Sequence, residues 1–177
     1  MLTDVTFFQS GSLYISGICP PDIAPSPTNI AVTGDIEGYI REYETEYLIQ
    51  ALGQDVYRKF AEYLSSGKDS ESRWDELKGR LVFSPASGEG SFRVSPIANY
   101  VYYHYLRNHQ SEATVSGVKK DSDEGDLVSA ERKMCDAWNR MVDMNRQLFA
   151  WIESHKEDYP GWCYAPSLVR KINTFNL

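Results

Sequence analysis

The stretch Pro96–His109, PIANYVYYHYLRNH, carries four tyrosines between positions 100 and 105; Gln110 follows, and then SEATVSGVKKDSDEGD, which is almost devoid of large apolar side chains. Ser95 and Pro96 supply an N-cap and the residue best suited to a first helical position, so a helix opens here. Along that helix Ile97, Val101, His104, Tyr105 and Asn108 lie on one side, Tyr100, Tyr103 and Arg107 on another, and Tyr102 with Leu106 on a third. A helix coated with aromatic rings on several sides must be buried on several sides. It belongs either at the centre of a helical bundle or at the seam between a bundle and neighbouring protomers. Tyrosine suits both places, because its ring buries area while its hydroxyl needs a polar or wet neighbour.

The flanking sequence supplies the rest of such a bundle. Upstream, Thr33 is an N-cap candidate with Asp35 and Glu37 in the following turn, where a helix dipole favours anions. Ile36, Ile40, Tyr43, Tyr47 and Ala51 then form one stripe, and Gly53 ends it. QDVYRKFAEYL places Val56, Tyr57, Phe60, Ala61 and Leu64 on one face of a second helix, which turns a corner at Leu52-Gly53. Ser72 and Asp75 have the spacing of a capping box for a third helix bearing Trp74, Leu77 and Leu81, and FSPASGEGSFRVSP is loop. Downstream, a long helix runs from Ser129 to about His155, about 40 Å if unbroken. Met134, Trp138, Met141, Leu148 and Ile152 form its stripe, Asn145 interrupts it, and Ala137, Met144 and Trp151 widen it.

The expected fold is therefore mainly α, a compact bundle of about five helices with a long C-terminal helix. It divides into an N-terminal arm (1–29), a helical domain (30–158) and a C-terminal tail (159–177). The arm is irregular, broken by Pro20, Pro21, Pro25 and Pro27, or forms a short hairpin of VTFF with SLYISGI across Gln9–Ser12. Tyr159-Pro160-Gly161 ends the last helix, and the tail docks through Trp162 and Tyr164. Gln110–Asp126 is longer than an ordinary connection. It is either a solvated loop or an arm or hairpin that orders on a neighbouring subunit by edge pairing. On the second reading the candidate subunit-contact residues are Thr114, Val115, Ser116, Gly117, Val118, Lys119 and Lys120.

Composition narrows the function classes. With 177 residues and a formal charge of -7, the chain suits one domain and disfavours general nucleic-acid affinity, which depends on clustered lysine and arginine. Cys19, Cys135 and Cys163 are odd in number and widely spaced, which signals neither a disulfide framework nor a zinc site and suits a reducing compartment. The N-terminal residues do not read as a secretion signal, and no apolar run approaches a membrane span.

No constellation for chemistry assembles. His104, His109 and His155 lack partners at metal-ligand spacing, and His104 reads as a packed or hydrogen-bonded ring. Cys135 sits near a helix start but reads as an inert buried thiol. SGEGSF at 87–92 lacks the frame of a phosphate loop. Asp35, Glu37, Glu42, Glu44 and Glu46, with Arg41 among them, read as the solvated face of the first helix, the alternative being a cation site. The expectation is a protein without catalytic, cofactor or metal residues.

Four segments in order, YLIQALGQDVYRKF, SPIANYVYYHYLRNH, ATVSGVKK and VSAERKMCDAWNRMV, together resemble proteins encoded among the virion genes of tailed phages and prophages of gut Bacteroidetes. More loosely, they resemble the helical head–tail connector (adaptor) family. The resemblance covers about residues 30–155. It rests on the Leu52-Gly53 corner, the Pro-opened tyrosine helix, the element at Thr114–Val118 and the Ala137-Trp138-Asn139 group. It implies a non-catalytic particle component forming a ring between portal and tail, with portal and tail or neck proteins and copies of itself as partners. It further implies residence in the host cytoplasm during assembly and in the virion afterwards, with no sequence-specific nucleic acid and no membrane. The competing expectation is a small-ligand-binding or regulatory helical module with an apolar pocket lined by the tyrosines.

Overall fold

The computed structural model describes residues 1–18, 24–66, 72–84, 93–109, 111–114, 117–120 and 124–173. It is mainly helical. The described elements are α1 (Pro27–Leu52), α2 (Gln54–Ser66), α3 (Ser72–Leu81), α4 (Pro96–His109), the strands β1 (Ser111–Thr114) and β2 (Gly117–Lys120), and α5 (Glu124–Ser154), with short 3-10 turns at Val5–Phe8, Gly11–Leu13 and Pro166–Val169.

The tyrosine helix α4 packs between α1 and α5. Ile97, Ala98 and Val101 are fully buried, and Tyr100, Tyr102, Tyr103 and Tyr105 are all under 10% exposed. Only its last turn, from Arg107 to His109, is open to solvent. Ile36, Ile40, Tyr47 and Ala51 of α1 and Ala137, Met141 and Val142 of α5 share one buried cluster with it. Burial of side chains of this size contributes about 1.5–3 kcal/mol each before conformational entropy is subtracted.

At the α1–α2 corner, Gly53 has φ 80° and ψ 155°, a conformation that is essentially glycine's alone, and its amide closes the helix on the Ile49 carbonyl at 2.9 Å. The predicted start of α1 at Thr33 is corrected to Pro27. Ser26 and Asn29 cap each other: Asn29 N donates to Ser26 Oγ at 3.2 Å and Ser26 N to Asn29 Oδ1 at 3.1 Å, and Pro27 occupies the first position. Ser72 and Asp75 do not form the predicted box. Ser72 Oγ donates to Glu76, and Asp75 accepts from the Tyr63 hydroxyl at 2.6 Å.

The N-terminal hairpin across Gln9–Ser12 is also corrected: residues 1–18 contain two 3-10 turns and no strand. Asp4 accepts from Thr6 N at 2.9 Å and so starts the first turn, while Gly11 has φ 75° at the start of the second. Leu2, Phe7, Phe8, Leu13, Ile15 and Ile18 join the same hydrophobic cluster as the helices. β1 and β2 pair antiparallel, with Ser111 opposite Lys120 and Thr114 opposite Gly117. α5 starts at Glu124, five residues before the predicted Ser129.

The tail docks as expected through Trp162, which is 6% exposed and donates from its indole nitrogen to the Ala51 carbonyl at 3.0 Å. Tyr164 remains 56% exposed, with its ring edge on Phe149. Beyond it the chain lies along α5: Asn145 Nδ2 donates to the Leu168 carbonyl, Trp138 Nε1 to that of Arg170, and Asn139 bonds both backbone groups of Ile172.

Candidate functional site

Three features are assembled from residues far apart in sequence: a polar and aromatic interior around α4, an N-terminal arm pinned to α1, and a hairpin at the exposed end of α4.

The interior satisfies its buried hydroxyls in specific ways. Tyr47, fully buried on α1, donates to Oδ1 of the equally buried Asn145 on α5. Tyr100 donates to Glu46 Oε1 at 2.8 Å. Burial raises the pKa of the Tyr47 phenol, with a further contribution from nearby Tyr100. Burial also raises that of Tyr100, which its bond to Glu46 and the charge of that carboxylate push further up. These phenols stay neutral and donate.

His104 is a packed ring, stacked on Tyr43 at 4.2 Å and tilted against Tyr100 at 4.4 Å. Desolvation lowers its pKa to about 4, against an opposing pull from Glu46, and its buried Nε2 has no hydrogen-bond partner among the described residues. His109 Nε2 lies 3.0 Å from Asp35, and His155 Nδ1 lies 2.9 Å from the Trp151 carbonyl. Cys135 is buried and its thiol is pushed up, chiefly by desolvation and then by Asp136 and Glu131. Among the described residues no group of three or more His, Cys, Asp or Glu side chains is placed to hold a metal, and no helix is long and apolar enough to cross a membrane.

Glu44 overturns part of the solvated-face reading of α1. It is 5% exposed, and its carboxylate accepts from Leu2 N at 2.8 Å, from Thr3 N at 2.9 Å and from Thr3 Oγ1 at 2.5 Å. This clamp fixes the arm against the middle of α1. A second tie runs from Arg93, whose Nη2 donates to both Asp4 oxygens at 2.9 and 3.0 Å and to the Thr6 hydroxyl. The same guanidinium lies 4.4 Å over the Phe7 ring. Burial alone would raise the Asp4 carboxyl, yet the hydrogen bonds from Thr6 and Arg93 bring it below its ordinary range.

Between the pinned arm, the start of α4 and the middle of α5 lies a cleft of about 790 Å³. Phe7, Leu13, Val94 and Met144 form its apolar walls, and Ser95, Asn99 and Arg140 its polar ones. The tyrosines expected to line a ligand pocket are elsewhere, in the core.

The predicted contact segment forms the hairpin. Thr114 closes β1, and Gly117, Val118, Lys119 and Lys120 make up β2; Val115 and Ser116 lie outside the described residues. β1 pairs with β2 alone, and β2 with β1 alone, among the described strands. Each strand therefore has an outer edge whose backbone donors and acceptors have no described strand partner. No family model, curated protein or solved structure matches the chain.

The Glu44 clamp and the Asn99 wall carried no sequence signal. Their partners are fixed only by how the arm and α4 settle on the bundle. The hairpin had one, in the short strand-forming run TVSGV inside an otherwise polar stretch.

Proposed function

We propose that the chain is a structural, non-catalytic component of a tailed-phage or prophage particle, similar to head–tail connectors, and that it acts through protein–protein contacts in a ring. The observation that carries this reading is the hairpin. A two-stranded ribbon whose outer edges have no strand partner among the described residues follows the helix that is most deeply set in the core. Edge pairing with a neighbour would complete those strands, the backbone bonds supplying affinity and the rigid α4 supplying direction. Repeated from copy to copy, one such heterologous contact closes a ring.

The other features agree with that role. The arm is pinned to the body by Glu44 and Arg93, so each copy presents a defined outer shape. The chain's charge of -7 lets DNA pass a ring without being gripped, since attraction to phosphate requires clustered cations. The partners are then portal and tail or neck proteins together with further copies of the chain. Assembly takes place in the host cytoplasm and ends in the virion.

The test is mass spectrometry with chemical cross-linking on particles purified from an induced lysogen that carries the gene. The proposal expects the chain in the particles at a ring's copy number, with cross-links from Lys119 or Lys120 to an adjacent subunit. Particles that form and infect without the chain would refute it.

A further inference from the structure

Helix α4 ends at His109 and β1 begins at Ser111, so whatever holds His109 also holds the base of the hairpin. What holds it is a pair of acceptors on two different helices. The ring Nε2 lies 3.0 Å from Asp35 Oδ2 on α1, and Nδ1 lies 2.9 Å from the Tyr105 carbonyl, one turn back on α4. A neutral imidazole carries a single N–H and can donate to only one of them, whereas an imidazolium donates to both. We infer that His109 is a proton-operated tie, which fastens the base of the hairpin to α1 when the ring is charged and loosens it when the ring is neutral.

The surroundings suit a charged ring in the fastened arrangement. The last carbonyls of α4 present the negative end of its dipole. The Tyr105 ring is stacked on the imidazole, with centroids 4.1 Å apart and planes at 28°, so the cation meets an aromatic face. From α1 the imidazole is also faced by Tyr39, at 5.7 Å. Burial raises the pKa of both phenols, so they stay neutral where histidine titrates. Arg107, in the same last turn of α4, brings the opposing charge. His109 and Asp35 are both exposed, so the ring exchanges its proton with bulk solvent and the tie opens without unpacking the core.

The consequence for subunit joining rests on the ring reading above: a hairpin with a fixed base presents its edges in one direction, and the proton would favour assembly. The tie itself concerns the chain alone and is tested there.

The test is water-exchange NMR on the full-length, 15N-labelled chain at about pH 6 and about pH 8, the interval in which histidine is the side chain that ordinarily changes charge. Each amide rate is divided by its random-coil value at the same pH. His104, with its pKa lowered to about 4, stays neutral in the folded chain throughout. The tie predicts that the amides of His109 and of Ser111–Thr114 lose protection by about twofold to fivefold from the lower pH to the higher, the range of an exposed ion pair. His109→Gln and Asp35→Asn should each abolish that difference while leaving the helical circular dichroism unchanged. Equal protection at the two pH values, a difference that survives either substitution, or one shared by the core amides of Tyr47 and Val101 would overturn the inference. A chain that shows the tie and yet is absent from purified particles would uphold it and refute the ring reading alone.

Discussion

Replacing Tyr47 by Phe tests how the bundle is held in register. The Tyr47 hydroxyl and the Asn145 amide are both fully buried and bridge α1 to α5, and Asn145 in turn holds the Leu168 carbonyl of the tail at 2.9 Å. Removing the hydroxyl leaves Asn145 Oδ1 without a donor where water does not reach. That desolvated acceptor costs about 1–3 kcal/mol. For a chain of this length each kcal/mol lowers Tm by about 2–4 °C, so Tyr47→Phe should melt roughly 2–12 °C below the parent. Asn145→Leu strands two groups, the phenol and the Leu168 carbonyl, and should cost more, about 2–4 kcal/mol. In the double variant the phenol is gone, so its penalty vanishes and the two losses should fall short of additivity by about 0.5–3 kcal/mol. Urea unfolding followed by tryptophan fluorescence and circular dichroism, with the m-value constant across the set, measures the cycle. A Tyr47→Phe loss below about 0.5 kcal/mol, the scatter of ordinary surface changes, or strict additivity would refute the reasoning.

Three further outcomes follow from single sites. His104, with its pKa lowered to about 4, is neutral when folded, while the unfolded chain takes up a proton near pH 6.5. Between these values the unfolded state binds more protons, so stability falls as pH drops from about 6.5 to 4, by about 1–3 kcal/mol; His104→Phe should flatten that part of the urea-midpoint profile, and an unchanged slope would count against the buried ring. Gly53→Ala forces a side chain into positive φ and towards the Gly161 carbonyl at 3.5 Å, and should cost about 1–3 kcal/mol in the same assay. Glu44→Gln sets an amide N–H against the Leu2 or Thr3 donors; hydrogen exchange should show residues 2–8 losing protection while α4 keeps its own, and an arm that stays protected would contradict the clamp.

The sequence disclosed the parts whose signals are local. Pro96 and the run of tyrosines mark α4 as a core helix, because aromatic rings on three sides leave no side for water. Gly53 marks the corner through a conformation other residues avoid, and Trp162 marks where the tail returns. The start of α1 was misread because Pro25 and Pro27 look like breakers, whereas Ser26, Pro27 and Asn29 together form a reciprocal cap. Glu44 was misread because a carboxylate among others on a helix is ordinarily solvated; its donors lie 41 and 42 residues away, beyond any periodicity. Asn99 is one more polar residue on an aromatic helix until the fold turns it towards a cleft.

The central claim is that a rigid helical body carries the hairpin as its means of joining neighbours, and removing Ala113–Lys120 tests it most directly. The shortened chain should keep its helical circular dichroism and melt within a few degrees of the parent, yet be missing from particles purified from an induced lysogen that expresses it in place of the full chain. Incorporation at the parent's copy number would contradict the claim.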